Sequence, residues 1–283
     1  MMFRKTLYIF LLIMLSYTSL ISMTIVVTIN PYYLILKDMV KDRARILLLI
    51  EPGKNPHLYS PTIEDVKNLM KGDLIVANGL NLETFISPEL SKLKKKGLNV
   101  LYLSDFIPRG ELMGEKDRPN PHIWMDPVFL YRYIVPAILK ELKRIDPKNS
   151  DFYERNAIDL IERLKKFDRF CREKMEKMKC KSILTAHPSL VYFARRYGIK
   201  VTSLFSGHGK QVTVKETMNV IRSIRKGEIC AIFSEKGINS KAMEVIASET
   251  GLEIGTLDPL GCEANGILEL FEKNLKELIR FGG

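Results

Sequence analysis

Between residues 24 and 105 the chain contains four short apolar runs: TIVVTI (24–29), ARILLLI (44–50), DLIVAN (73–78) and NVLYLSD (99–105). Four more follow between 182 and 258: SILTAH (182–187), KVTSLFS (200–206), CAIFSE (230–235) and EIGTLD (253–258). Each run is nearly continuous in apolar residues rather than alternating, and stretches of helical period separate them. That combination predicts an α/β protein whose mainly parallel strands are covered on both faces by helices. A long helical interval divides the two sets. In DPVFLYRYIVPAILKELKRID (126–146) the apolar residues keep helical spacing, and Pro136 predicts a kink. Asp146-Pro147 breaks the pattern and restarts it. From there to Lys181 no glycine and no further proline occurs, and Ile158, Ile161, Leu164, Phe167, Phe170 and Met175 form an apolar stripe. At 1.5 Å per residue such a helix spans about 45 Å, enough for a stiff strut between two lobes. A helix packed on one large sheet is the alternative.

Ahead of the first run, Arg4 and Lys5 precede the uncharged TLYIFLLIMLSYTSLIS (6–22), the layout of an export signal. Residues 1–22 are therefore expected to be a signal peptide cut near Ser22 or, uncut, a membrane anchor. No cysteine lies there, so attachment through a lipidated amino-terminal cysteine is not supported. The 283 residues, 46% hydrophobic and 27% charged, suit two modest domains or one large one. The net charge of +11 comes from Lys and Arg interspersed with Glu and Asp, as in ERLKKFDRFCREKMEKMKCK (162–181). Lys94-Lys95-Lys96 before Gly97 reads as the last turn of a helix, where cations suit the dipole. This is a solvated surface with at most weak attraction to an anionic membrane, and no nucleic-acid partner is expected. The four cysteines, Cys171, Cys180, Cys230 and Cys262, make no C-x-x-C pair. Buried thiols are expected, and a disulfide among Cys180, Cys230 and Cys262 stays open for an exported chain.

The chain has four histidines, and two sit in nearly the same phrase: NPHLYSP (55–61) and NPHIWMDP (120–127). His57 follows the second apolar run, His122 lies between the fourth run and the next helix, and His187 ends the fifth. Asp258, in TLDPLG, ends the last. Ligands of open α/β sheets bind beyond the carboxyl ends of strands, where all four residues fall. Each adjoins a proline, which restrains the backbone beside a ligand. Three imidazoles and one carboxylate make a tetrahedral zinc set at about 2.0–2.2 Å. The spacings of 65, 65 and 71 residues exclude a local motif such as H-E-x-x-H. The bland reading is that single histidines cap turns by hydrogen bonding. His208, between glycines in SGHGKQ, is expected to be solvated rather than a ligand.

Five segments in order carry a resemblance: PGKNPHLYSPTIEDVKNLMKGDLIVANGLNLETFI (52–86), PNPHIWMDP (119–127), DPKNSDFYERNA (146–157), ILTAHPSLVYFARRYGIKV (183–201) and FSEKGINSKAMEVIASETGLEIGTLDPLG (233–261). They resemble the zinc/manganese-type (cluster A-I) periplasmic solute-binding proteins of metal-importing ABC transporters. The resemblance implies two α/β lobes, each with a four-stranded mainly parallel sheet, bridged by one long rigid helix. The implied boundaries are 23–145 for the first lobe, 146–181 for the connecting helix and 182–283 for the second lobe. It maps the metal ligands onto His57, His122, His187 and Asp258. It further implies a monomer at the outer face of the cytoplasmic membrane or in the periplasm, delivering the metal ion to a permease and its ATPase. Histidine rather than glutamate at the third position is typical of zinc-preferring members. Zinc is thus the expected cargo, with Mn²⁺ or Fe²⁺ behind it, since manganese favours more oxygen donors than this set provides. The segment FIPRGELMGEKDR (106–118) lacks the histidine-rich loop of many zinc members. Two rivals remain. A metallohydrolase needs an open coordination position and a base, for which Glu235 and Glu263 lie near the last strand ends; four protein ligands close such a site, so no enzyme is expected. A surface adhesion protein with a structural metal is the other.

Overall fold

The computed structural model describes residues 23–204, 212–238 and 240–283; the export segment 1–22 and His208 lie outside the described residues. The eight apolar runs form strands β1 (Thr24–Val27), β2 (Arg45–Leu48), β3 (Leu74–Ala77), β4 (Asn99–Tyr102), β7 (Ser182–Thr185), β8 (Lys200–Ser203), β9 (Ala231–Glu235) and β10 (Ile254–Leu257). A two-residue hairpin, β5 (Gly114–Glu115) and β6 (Arg118–Pro119), intervenes. The first four pair in the order β2-β1-β3-β4 and the last four in the order β10-β9-β7-β8. Every pairing within these two sheets is parallel. One topology is used twice: within each set the first strand lies between the second and the third. Chain direction around the sheet therefore reverses between β1 and β3, and again between β7 and β9, the points at which such sheets open a ligand crevice.

The helices are α1 (Asn30–Val40), α2 (Ile63–Lys71), α3 (Ser87–Lys95), α4 (Val135–Ile145), α5 (Ser150–Lys177), α6 (Val191–Tyr197), α7 (Val214–Arg225), α8 (Lys241–Thr250) and α9 (Ile267–Gly282). Capping boxes start two of them, Thr62 with Asp65 at α2 and Thr213 with Glu216 at α7. The irregularity expected at Pro136 takes the form of a π-helical turn, Leu130–Ile134, leading into α4. Proline has no N–H to donate to the preceding turn, and the widened turn absorbs the missing bond.

The long helix α5 has 28 residues, about 42 Å at 1.5 Å per residue. The apolar residues of its buried face are Tyr153, Ala157, Leu160, Leu164, Phe167, Cys171 and Met175. Two residues of the expected stripe, Ile158 and Phe170, are instead 54% and 45% exposed. The face is rotated because small Ala157 and Cys171 make the close contacts, which a count of large apolar residues underweights. Against α1, Asn156 Nδ2 donates to the Met39 carbonyl at 2.9 Å, and Arg163 pairs with Asp38 at 2.9 Å. Against α9, the rings of Phe167 and Phe271 lie 5.5 Å apart. One hydrophobic core runs from Ile25 and Val76 through Leu160 and Leu164 to Phe233 and Leu278. The helix thus joins the two sheets as a shared core element rather than a free rod.

Among the cysteines, Cys180 and Cys230 form a disulfide, while Cys171 and Cys262 are free. A buried ion pair crosses between the halves. Arg196 of α6 donates from Nη2 to Asp126 Oδ2 at 2.7 Å and from Nε to both carboxylate oxygens at 3.1 Å. Asp126 is fully buried and also caps the Pro127–Phe129 turn. Arg196→Ala would leave that carboxylate buried without its counter-ion, at an expected cost of about 3–5 kcal/mol. A lower urea midpoint at unchanged slope would show it; an unchanged midpoint would contradict it.

Candidate metal centre

The repeated Asn-Pro-His phrase has a local cause. Asn55 Oδ1 accepts the backbone N–H of His57 at 2.9 Å, and Asn120 Oδ1 accepts that of His122 at 2.9 Å. Each asparagine folds back two residues onto the histidine it precedes, with proline fixing the bend between them. Asn120 Oδ1 also lies 2.8 Å from His122 Nδ1. Because the amide oxygen only accepts, Nδ1 carries the proton and Nε2 keeps its lone pair toward the cleft. Asn120 Nδ2 donates to the Pro188 carbonyl at 2.8 Å, tying the second histidine segment to the third. Removing an outer partner of this kind typically costs about 10–100-fold in metal affinity, the loss expected for Asn120→Ala in a zinc titration. Parent-like affinity would contradict that role.

Behind His122 stands the turn Asn78–Glu83. Asn78 Nδ2 donates to the Pro121 carbonyl at 3.0 Å, and Asn78 Oδ1 accepts from the Tyr32 hydroxyl at 2.5 Å. The buried Glu83 carboxylate accepts from the N–H of Asn78, the N–H of Gly79 and the Thr28 hydroxyl at 2.7, 3.0 and 2.9 Å. Burial raises its pKa and these bonds oppose the rise. Gly79 has φ +83°, and a Cβ there would lie 2.2 Å from Ser104 Oγ, so only glycine fits the turn.

From these supports the three imidazoles converge. His57 Nε2 is 3.2 Å from His122 Nε2 and 3.3 Å from His187 Nε2, and His122 and His187 are 3.0 Å apart. An ion bound tetrahedrally at 2.0–2.1 Å would set these edges at about 3.3–3.4 Å. With Nε2 unprotonated on all three rings, nitrogens at such separations surround a place suited to a cation. His122 is buried, the other two are half-buried, and the ring of Trp124 stands 5.1 Å from that of His122. Trp124 Nε1 donates to the Pro259 carbonyl at 2.9 Å, and Asn30 Nδ2 donates to the carbonyls of Leu260 and Gly261. The two halves are thereby stitched together at the cavity wall. A Cβ on Gly237, φ +81°, would lie 2.9 Å from the Gly53 carbonyl, a second close approach across the cleft.

The expected fourth donor is placed differently. The group of ligand atoms lying within 4.8 Å of one another comprises the three histidines. Asp258 is buried at the end of β10, its backbone bracketed by Asn274, which accepts from its N–H at 2.7 Å and donates to its carbonyl at 2.8 Å. Its Oδ2 lies 3.9 Å from Lys236 Nζ, and its Oδ1 has no hydrogen-bond partner. Burial and the neighbouring Asp258 push the Cys262 thiol up to about 11. Of the two glutamates considered as bases, Glu263 is exposed and pairs with Lys236 at 2.7 Å. Glu235 is buried and lines the same cavity as the histidines. Burial pushes it up to about 8, against the opposing effect of the Ser189 side chain and the His187 N–H. Its place at the end of the apolar run CAIFSE (230–235) is the sequence signal for it.

The family sequence model of ZnuA, the zinc-uptake complex component A, periplasmic, matches residues 25–280. A putative metal-binding protein of Thermotoga maritima is 37% identical over 253 residues, covering 89% of this chain and 90% of that one. The manganese ABC transporter substrate-binding lipoprotein PsaA of Streptococcus anginosus is 28% identical over 239 residues, covering 78% and 74%. The periplasmic zinc-binding protein TroA from Treponema pallidum superimposes with a TM-score of 0.85 at 25% identity, covering 92% of this chain and 98% of that one. The chain therefore belongs to the ZnuA family, solute-binding proteins rather than enzymes, as a periplasmic metal-binding component of a zinc/manganese ABC uptake system.

Proposed function

We propose that this protein captures a divalent transition-metal ion, foremost Zn²⁺, between two lobes and hands it to the permease and ATPase of an ABC importer. The observation that carries this reading is the convergence of three Nε2 atoms at 3.0–3.3 Å. In this reading His57 and His122 belong to a lobe of residues 23–145, and His187 and Asp258 to a lobe of residues 182–283, with 146–181 as the strut. The ion fastens the lobes together, and Asp258 supplies the anionic donor. Mn²⁺ and Fe²⁺ are weaker cargoes of the same site, because zinc stands above both in affinity for nitrogen and oxygen donors. The chain acts as an exported monomer, released by cleavage near Ser22 or held by an uncut amino-terminal anchor.

Calorimetric titration of the metal-stripped chain with Zn²⁺ and Mn²⁺ tests the reading. Tight one-to-one zinc binding is expected, and no binding of either ion would overturn it. The same titration carries a pH prediction. Protons compete for the imidazole lone pairs, so binding is strongest above the usual histidine pKa of about 6.5 and weakens as pH falls through it. Equal affinity on both sides of that range would remove the histidines from the ligand set.

A further inference from the structure

Two buried carboxylate oxygens, Glu235 Oε1 in the cavity wall and Asp258 Oδ1 one residue before the cavity-lining Pro259, have no hydrogen-bond partner among the described residues. Buried polar atoms are nearly always satisfied, so each such atom calls for a reason. For Asp258 the ligand role proposed above provides one. Glu235 needs its own. It ends β9, which pairs directly with β7, the strand that leads into His187. It lines the cavity together with His57, His122 and His187, and its carboxylate faces the His187 backbone N–H and the Ser189 side chain. The nearest cation in sequence, Lys236, directs its ammonium to Glu263 at 2.7 Å and Asp258 at 3.9 Å. The Glu235 carboxylate thus faces the turn that carries the third imidazole, and one of its oxygens has no partner among the described residues.

We propose that Glu235 is a second carboxylate donor of the cargo site, and the residue through which that site accepts Mn²⁺ as well as Zn²⁺. The inference rests on the reading that the three histidines hold the cargo. Zinc is content with four donors in tetrahedral array, which three imidazoles and Asp258 provide. Manganese takes a larger shell and favours oxygen. Glu235, like Asp258, is not among the groups that converge within 4.8 Å; zinc completes its shell with Asp258 alone, and the larger manganese shell draws in Glu235 as well. With Glu235 the set becomes three nitrogens and two carboxylates, richer in oxygen than the four residues expected from sequence.

The test titrates the full chain, stripped of metal, and its Glu235→Gln and Glu235→Asp variants with Zn²⁺ and Mn²⁺. Glutamine keeps the volume and an acceptor oxygen toward the His187 N–H but removes the anionic donor. Glu235→Gln should lower Mn²⁺ affinity by about tenfold or more while lowering Zn²⁺ affinity by less than about threefold. Glu235→Asp, which keeps the charge, should retain part of the manganese affinity and serves if the glutamine variant does not fold. As a second readout, the visible spectrum of bound Co²⁺ should move toward the more intense absorption of a four-coordinate ion in Glu235→Gln. Equal losses for both metals would reduce Glu235 to a support of the His187 turn and overturn the proposal, as would no change for either. A parent chain that binds Zn²⁺ but not Mn²⁺ overturns it while leaving the capture function intact. A parent that binds neither ion overturns both.

Discussion

Replacing His187 by alanine should weaken zinc binding by well over the 10–100-fold that loss of an outer-shell partner costs, because in the proposed site it removes one of three imidazole donors. Its Nε2 lies 3.0 Å from that of His122 and 3.3 Å from that of His57. The backbone of its turn is held independently, through the Thr185 hydroxyl donating to the His187 carbonyl at 2.9 Å. The alanine variant should therefore keep its fold and lose only the donor. Two imidazoles and a carboxylate leave an open coordination position and a weaker bridge between the halves. The metal-free protein should unfold within about 0.5 kcal/mol of the parent, since the ring is half-buried and its loss leaves the turn's backbone bonds in place. Calorimetry and urea unfolding on the same samples would check both parts. An affinity within about threefold of the parent would take His187 out of the ligand set.

Removing the Cys180–Cys230 bridge should have the reverse signature, a large loss of stability with metal affinity unchanged. The two cysteines are 50 residues apart in sequence, and constraining an unfolded loop of that length is worth about 4 kcal/mol in the chain-entropy account. For a chain of this size the thermal midpoint of the double serine variant should fall on the order of 10 °C. Cys180 and Cys230 precede the first residues of β7 and β9, Ser182 and Ala231, whereas His187 and Glu235 stand at or beyond the other ends of the same strands. The bridge therefore braces the end of the second sheet opposite the candidate metal site. Zinc titration of the variant below its unfolding transition should match the parent. A midpoint equal to the parent's would mean that the bridge does not constrain the unfolded chain, and lost zinc binding would mean that strain at one end of the sheet reaches the other.

Much of this architecture was legible in the order of residues, for reasons that can be named. Parallel strands covered on both faces need apolar residues at every position, so β1, β3, β7 and β9 appear as continuous runs. A stretch of more than thirty residues without glycine and with a single proline at its start determined a long helix. Two local turns, each a proline between asparagine and histidine, made His57 and His122 visible as a pair, and the strand end made His187 visible. Each of these features is encoded within a few neighbouring residues. Only the tertiary structure decided the rest, because the deciding contacts join residues far apart in the chain. The phase of α5 depended on which face α1 and α9 offer, so Ile158 and Phe170 turned outward and Ala157 and Cys171 inward. The choice of Cys230 over Cys262 as partner of Cys180 followed from β9 lying beside β7 with Cys230 just before it, at the same end of the sheet as Cys180, whereas Cys262 follows β10 at the other end. In sequence Glu235 is legible only as a carboxylate near a strand end; pairing with β7 buries it beside the His187 turn, where its environment, not its type, determines its chemistry.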